Sequence, residues 1–174
     1  DEGKLGPLDY ARAPRMFDYM VVNSASHDLL LMQKATGARL HILHVNSKPV
    51  IEWIAEAKKQ GRAVSGEVNP RAVRLTWEDH VKWGPYALGR WTPEEEHPFI
   101  WGGINDGTLE VLGSDHAPHT REEKEIGWTD MWSCHGGAPE IEHCYPMLLD
   151  SVNSGKTSLT QLVNICSANP ARLL

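Results

Sequence analysis

INDGTLEVLGSDHAPHTREEK, residues 104–124, is the stretch on which the reading of the fold turns. Asn105 to Gly107 form a turn signal. Leu109, Val111 and Leu112 then give a short apolar run of strand length. The run stops in Ser114-Asp115-His116-Ala117-Pro118-His119, a polar segment with one carboxylate and two imidazoles. Further out, two more runs end in the same way. ARLHILHVNS (38–47) carries Leu40, Ile42, Leu43 and Val45 and closes on His44-Val45-Asn46-Ser47; RAVSGEVNP (62–70) closes on Glu67-Val68-Asn69-Pro70. Between them, KPVIEWIAEAKKQG (48–61) reads as a helix. Pro49 suits its first turn, Val50, Ile51, Ile54, Ala55 and Ala57 make an apolar face, and Gly61 ends it.

The flanks complete the pattern. Residues 1–15 read as a loop, and MFDYMVVNSASHDLLLMQKAT (16–36) as a helix stopped by Gly37. Val73 to Trp101 reads as a long loop with short helical pieces, and a second long loop follows His119. IEHCYPMLLDSVNSGK and SLTQLVNICSANPARLL read as helices, with Gly155 as a stop and Ser158 as a cap. Strands alternating with crossover-length connections imply parallel pairing and an α/β class.

Composition narrows the function. Hydrophobic residues make up 41% and charged residues 23%, the balance of a folded globular chain. No apolar run approaches the roughly 18 residues that span a bilayer, so a membrane partner is not expected. The net charge of -6 argues against a nucleic-acid partner. Cys134, Cys144 and Cys166 are odd in number and form no C-x-x-C pair, which reads as reduced thiols in the cytoplasm.

In α/β barrels, reactive side chains sit at the C-terminal ends of strands. An imidazole and a carboxylate on such ends can ligate a borderline divalent ion such as zinc, and a carboxylate beside bound water can take its proton. Asp115 alone could be a turn residue; the run Gly-Ser-Asp-His-Ala-Pro-His raises it above that. His41 reads as a packed residue, because three residues from His44 it faces the other side of a strand. Taken alone, Arg90, Lys124 and Glu94 to Glu96 read as solvated surface. Gly102-Gly103 and Gly136-Gly137 read as turns. The seven tryptophans read mainly as packing, with Trp128 and Trp132 flanking the suspected site in sequence.

These motifs, with GGAPEIEHCYPMLLDSVNSGKTSL and SANPARLL in the same order, resemble the C-terminal part of the cyclic amide hydrolases of the amidohydrolase superfamily. That group includes dihydroorotase, hydantoinase (dihydropyrimidinase) and allantoinase. The resemblance runs from about residue 38 to the end and is most specific in GSDHAPHTREEK and SANPARLL. It implies the C-terminal part of a metal-dependent (β/α)8 TIM barrel: about strands six to eight plus the closing helices. His44 then matches a metal ligand on strand six. Asp115 matches the strand-eight residue that binds metal and moves protons. His119 matches a substrate contact of dihydroorotases, with Asn69 and Arg90 as further substrate-binding candidates. The implied cofactor is one or two divalent ions, zinc by preference.

Two segments depart from the family pattern. Glu67-Val68-Asn69-Pro70-Arg71-Ala72 lacks the His pair of the family's EVTPHH, and Pro85 to Arg90 stands in place of Pro-Pro-Leu-Arg. A barrel commonly takes about 250 residues. The length and the start at Asp1 therefore lead to the expectation of one partial barrel domain over 1–174, its N-terminal portion absent. The expected function is hydrolysis of a C–N bond in a dihydroorotase-like cyclic amide, within a longer, homo-oligomeric enzyme and with little activity in this chain alone. Hydantoinase or allantoinase activity is the alternative, and a non-catalytic scaffold the rival from another class. A plain binding module is the weakest reading.

Overall fold

The computed structural model describes residues 18–88 and 92–173. The expected N-terminal loop and Arg90 lie outside those residues. A wide helical turn, Asp18–Val22, leads into helix α1, Asn23–Thr36, and Gly37 ends it at a φ of 70°. Strand β1 (Leu40–Ile42), helix α2 (Lys48–Lys59) and strand β2 (Val64–Val68) follow. Helix α3 (Trp77–Trp83), helix α4 (His97–Asp106) and strand β3 (Val111–Leu112) complete the sheet. The strands lie parallel in the order β1-β2-β3, with Leu40 opposite Val64 and Glu67 opposite Val111. The α/β class and parallel pairing expected from the sequence are present.

Helix α2 shows why this stretch folds as it does. Val50, Ile51, Ile54 and Ala57 are buried at helical spacing, Pro49 sits in the first turn, and Ala55 falls at the half-buried margin. Their face packs onto the sheet and onto α4, where Ile100 and Ile104 are fully buried with Leu109. Helix α4 corrects the reading of Gly102-Gly103 as a turn. A Cβ on Gly103 would lie 3.1 Å from Ile51 and 3.2 Å from Leu109, so glycine lets the helix approach this closely. Tertiary packing here outweighs the low helix propensity of glycine.

Four further helices follow β3. Helix α5, Arg121–Glu125, lies inside the expected loop and opens with a capping box, Thr120 and Glu123 each bonding the other's backbone. Helix α6 spans Ile141–Asn153. Beyond it come α7 (Leu159–Val163), a wide turn (Asn164–Ala168) and α8 (Asn169–Leu173). The Ser158 hydroxyl caps α7 by accepting from Gln161 N, as expected. Among the described residues, no helix is long and apolar enough to cross a membrane.

Glu96 corrects another expectation. It is 8% exposed rather than solvated, and its carboxylate accepts a hydrogen bond from Lys48 N at 2.7 Å. Burial pushes its pKa up, with the Lys48 bond opposing that shift. The carboxylate thereby serves an otherwise unpaired N–H at the start of α2.

Candidate active site

All three strands end on the same side of the sheet, and their polar ends meet. Strand pairing stops at Ile42 because His44 turns the chain at a φ of 53°. Asp115, beyond β3, does the same at 51°. Among the described residues these two alone, glycines aside, have a positive φ. That conformation is disfavoured for residues with a Cβ and concentrates at sites where neighbouring structure enforces it.

The turn at His44 also corrects the placement of His41. Strand alternation ends at Ile42, so both rings reach Glu67. His44 Nδ1 lies 3.2 Å from Oε1, a close approach off the line of a hydrogen bond, and His41 Nε2 lies 3.9 Å from Oε2. His41 Nδ1 meets Ser65 Oγ at 2.7 Å, but the residue is exposed and lines the open groove, so the expected packed role is not what the structure shows. The Glu67 side chain fits because Gly113, just past β3, has none: a Cβ there would lie 2.2 Å from the carboxylate carbon. Sequence reasoning did not single out Glu67, although its place at a strand end was visible.

On its other edge the His44 ring faces Asp115, Nε2 standing 3.6 Å from Oδ1. That is too long for a hydrogen bond. Two donors of one tetrahedral zinc ion stand about 3.4 Å apart, given bond lengths near 2.1 Å. The pair therefore fits two ligand positions of a borderline divalent ion, with Glu67 placed to orient the imidazole from behind. Among the described residues, no group of three or more His, Cys, Asp or Glu side chains could hold a metal by itself.

The other described candidates, Asn69 and His119, make their contacts elsewhere. Asn69 is buried and caps the tight turn Pro70–Val73, its side-chain oxygen accepting from Ala72 N at 2.9 Å. His119 lies on the loop beyond Asp115. Its Nε2 meets the Gly136 carbonyl at 3.0 Å, its Nδ1 stands 3.5 Å from Glu123, and its ring stacks on His135 at 5.1 Å. Lys124, expected at the surface, is buried and donates to the carbonyls of His135 and Gly137 at 2.7 and 2.8 Å. Burial pulls its pKa down, and its two bonds hold the loop against which His119 rests. Trp128 and Trp132 are exposed. An open groove of 690 Å³ runs along the sheet and touches the cluster at His41 and Glu67.

Fold and site together define a parallel α/β unit whose ionisable groups converge at strand ends. No family model matches the chain. It is 36% identical over 154 residues to the L-hydantoinase of Paenarthrobacter aurescens, covering 87% of this chain and 34% of that protein. It is 33% identical over 152 residues to the dihydroorotase of Thermoanaerobacter sp. (strain X514), covering 83% and 34%. The solved L-hydantoinase from Arthrobacter aurescens superposes with a TM-score of 0.82 at 36% identity, over 87% of this chain and 34% of that one. A D-hydantoinase structure superposes at 0.83 with 27% identity, over 98% and 38%. Over most of its length the chain is thus similar to hydantoinases and dihydroorotases. It spans 34% of the length of each of these two curated relatives.

Proposed function

We propose that the whole protein carrying this chain hydrolyses a C–N bond of a small cyclic amide with the aid of a divalent ion. Residues 1–174 then form one partial domain, strands six to eight of a (β/α)8 barrel with its closing helices. The observation that carries the proposal is the coincidence at His44 and Asp115. Both stand at strand ends, both hold a strained backbone, and their donor atoms face one another at 3.6 Å.

Zinc suits this imidazole and carboxylate, and one or two such ions supply Lewis acidity at the ring carbonyl and a water acidic enough to attack near neutral pH. His44 would anchor the ion through Nε2, with the Glu67 carboxylate beside its Nδ1. Asp115 Oδ1 accepts the proton of the attacking water and returns it to the leaving ring nitrogen. His119, Asn69 and Arg90 are proposed as substrate contacts on the family resemblance. For His119 that contact requires its Nε2 to exchange the Gly136 carbonyl for a substrate oxygen. A cytoplasmic homo-oligomer belongs to the same proposal, supported by three free thiols and the resemblance.

Asp115→Asn in the whole protein tests this directly. Hydrolysis of dihydroorotate or hydantoins should fall by about 10²–10⁴-fold, the usual contribution of a positioned acid–base group, with the circular dichroism unchanged. Undiminished turnover of every such substrate would contradict the role. One observation favours the scaffold reading: Arg71 pairs with Asp115 at 2.7 Å, a contact that satisfies the carboxylate without any ion. Metal analysis of the whole protein separates the two.

A further inference from the structure

The segment after β2 departs from the family pattern at Arg71, and the structure gives that residue a definite task. Its side chain is 4% exposed, and Nη2 donates to Asp115 Oδ2 at 2.7 Å and to the Asp115 carbonyl oxygen at 3.5 Å. Its Nε lies 3.0 Å from Oε1 of Glu140, another buried side chain. Asn69 fastens the turn that carries Arg71 through its bond to Ala72 N. The guanidinium thus stands between the two carboxylates, hydrogen-bonded to Asp115 through Nη2 and in charge contact, without a hydrogen bond, with Glu140. Asp115 has one oxygen tied in this way, while Oδ1 stands 3.6 Å from His44 Nε2.

We propose that Arg71 is the positioning residue for Asp115: by holding Oδ2 it presents the carboxylate to the site through Oδ1 alone, aligned with His44. The inference rests on the metal-assisted reading above. A planar guanidinium suits the task, since it can grip two carboxylates at once in a fixed orientation. A lysine ammonium is a single point charge and cannot reproduce that grip. The positive charge also lies between Asp115 and Glu140 and offsets their repulsion.

Cobalt(II) titration of the whole protein, followed by visible absorption, tests this without relying on turnover. The set comprises wild type, Arg71→Lys, Arg71→Gln, the double variant Arg71→Gln/Glu140→Gln, and Asp115→Asn as control. The double variant removes the buried partner charge along with the guanidinium, and so keeps a foldable protein where the single glutamine variant does not. Wild type should bind cobalt with defined bands, and Asp115→Asn should weaken binding strongly. The folded Arg71 variants should bind about 10–100-fold more weakly, the range for losing an outer partner of a ligand. Their bands should shift as Asp115 gains freedom to offer either or both oxygens, and Arg71→Lys should recover only part of the affinity. Bands and affinity equal to wild type in a folded Arg71 variant would overturn the positioning role and leave the metal reading standing, even if thermal stability fell. Absence of cobalt binding in wild type, or binding indifferent to Asp115→Asn, would overturn both.

Discussion

Ile54 and Leu109 are fully buried between the sheet and its helices, whereas His44 and Asp115, a few residues past their strands, keep side chains 23% and 31% exposed on a strained backbone. The first region is apolar and closely packed. The second gathers imidazoles, carboxylates and a buried guanidinium, and its backbone occupies conformations that cost about 1–3 kcal/mol each. The difference teaches where stability and chemistry reside in this chain: the layer of strands and helices holds the shape, and the strand ends spend some stability on placing reactive groups.

Substitutions can break that contrast. Ile104→Ala should have the largest effect on stability, about 2–5 kcal/mol, from lost burial and the cavity left in the main core, where Ile104 is fully buried. Denaturant unfolding of the whole protein measures it, and metal affinity of the still-folded fraction should stay near wild type. Gly113→Ala should do the reverse. The added Cβ collides with the Glu67 carboxylate, which can swing aside and release the His44 ring. Metal affinity should fall about 10-fold or more while the melting temperature moves little. Equal losses in both measurements would blur the distinction between the two regions.

A smaller effect tests the buried carboxylate on the packing side. Burial raises the Glu96 pKa above 4.5, so folding favours its protonated form. Its contribution to stability is full below the unfolded value and is lost as pH rises through the folded one. The stability of wild type relative to Glu96→Gln should therefore decline as pH rises from about 4.5 toward neutrality. Parallel pH curves for the two proteins would contradict the shift.

Sequence reasoning reached the class, the strand order of appearance and the convergence of strand ends, because these follow from local periodicity and punctuation. Gly37, Gly61 and Ser158 end or cap helices as their types suggest. What it missed depends on distant partners. Arg71 and Asp115 are 44 residues apart, and Lys48 and Glu96 are 48 apart, so nothing local distinguishes Arg71 or Glu96 from solvated charges. Lys124 became buried for a similar reason, its carbonyl partners lying across a loop. His41 was misplaced because the reading extended the strand through His44, where the backbone leaves it. Helix α5 carried a local signal left unused, the Thr120-x-x-Glu123 capping box, as did α4, with Pro98 in its first turn and Gly107 at its end.

The proposed function stands or falls on whether His44 and Asp115 share a metal ion. Metal content of the whole protein, measured by plasma emission spectroscopy after exhaustive dialysis and zinc reloading, tests this most directly when wild type is set beside His44→Ala and Asp115→Asn. The expected result is zinc bound at one or two equivalents in wild type, with at least one equivalent lost in each variant. Wild type without zinc, or variants that retain all of it, would contradict the assignment and favour the ion-paired scaffold.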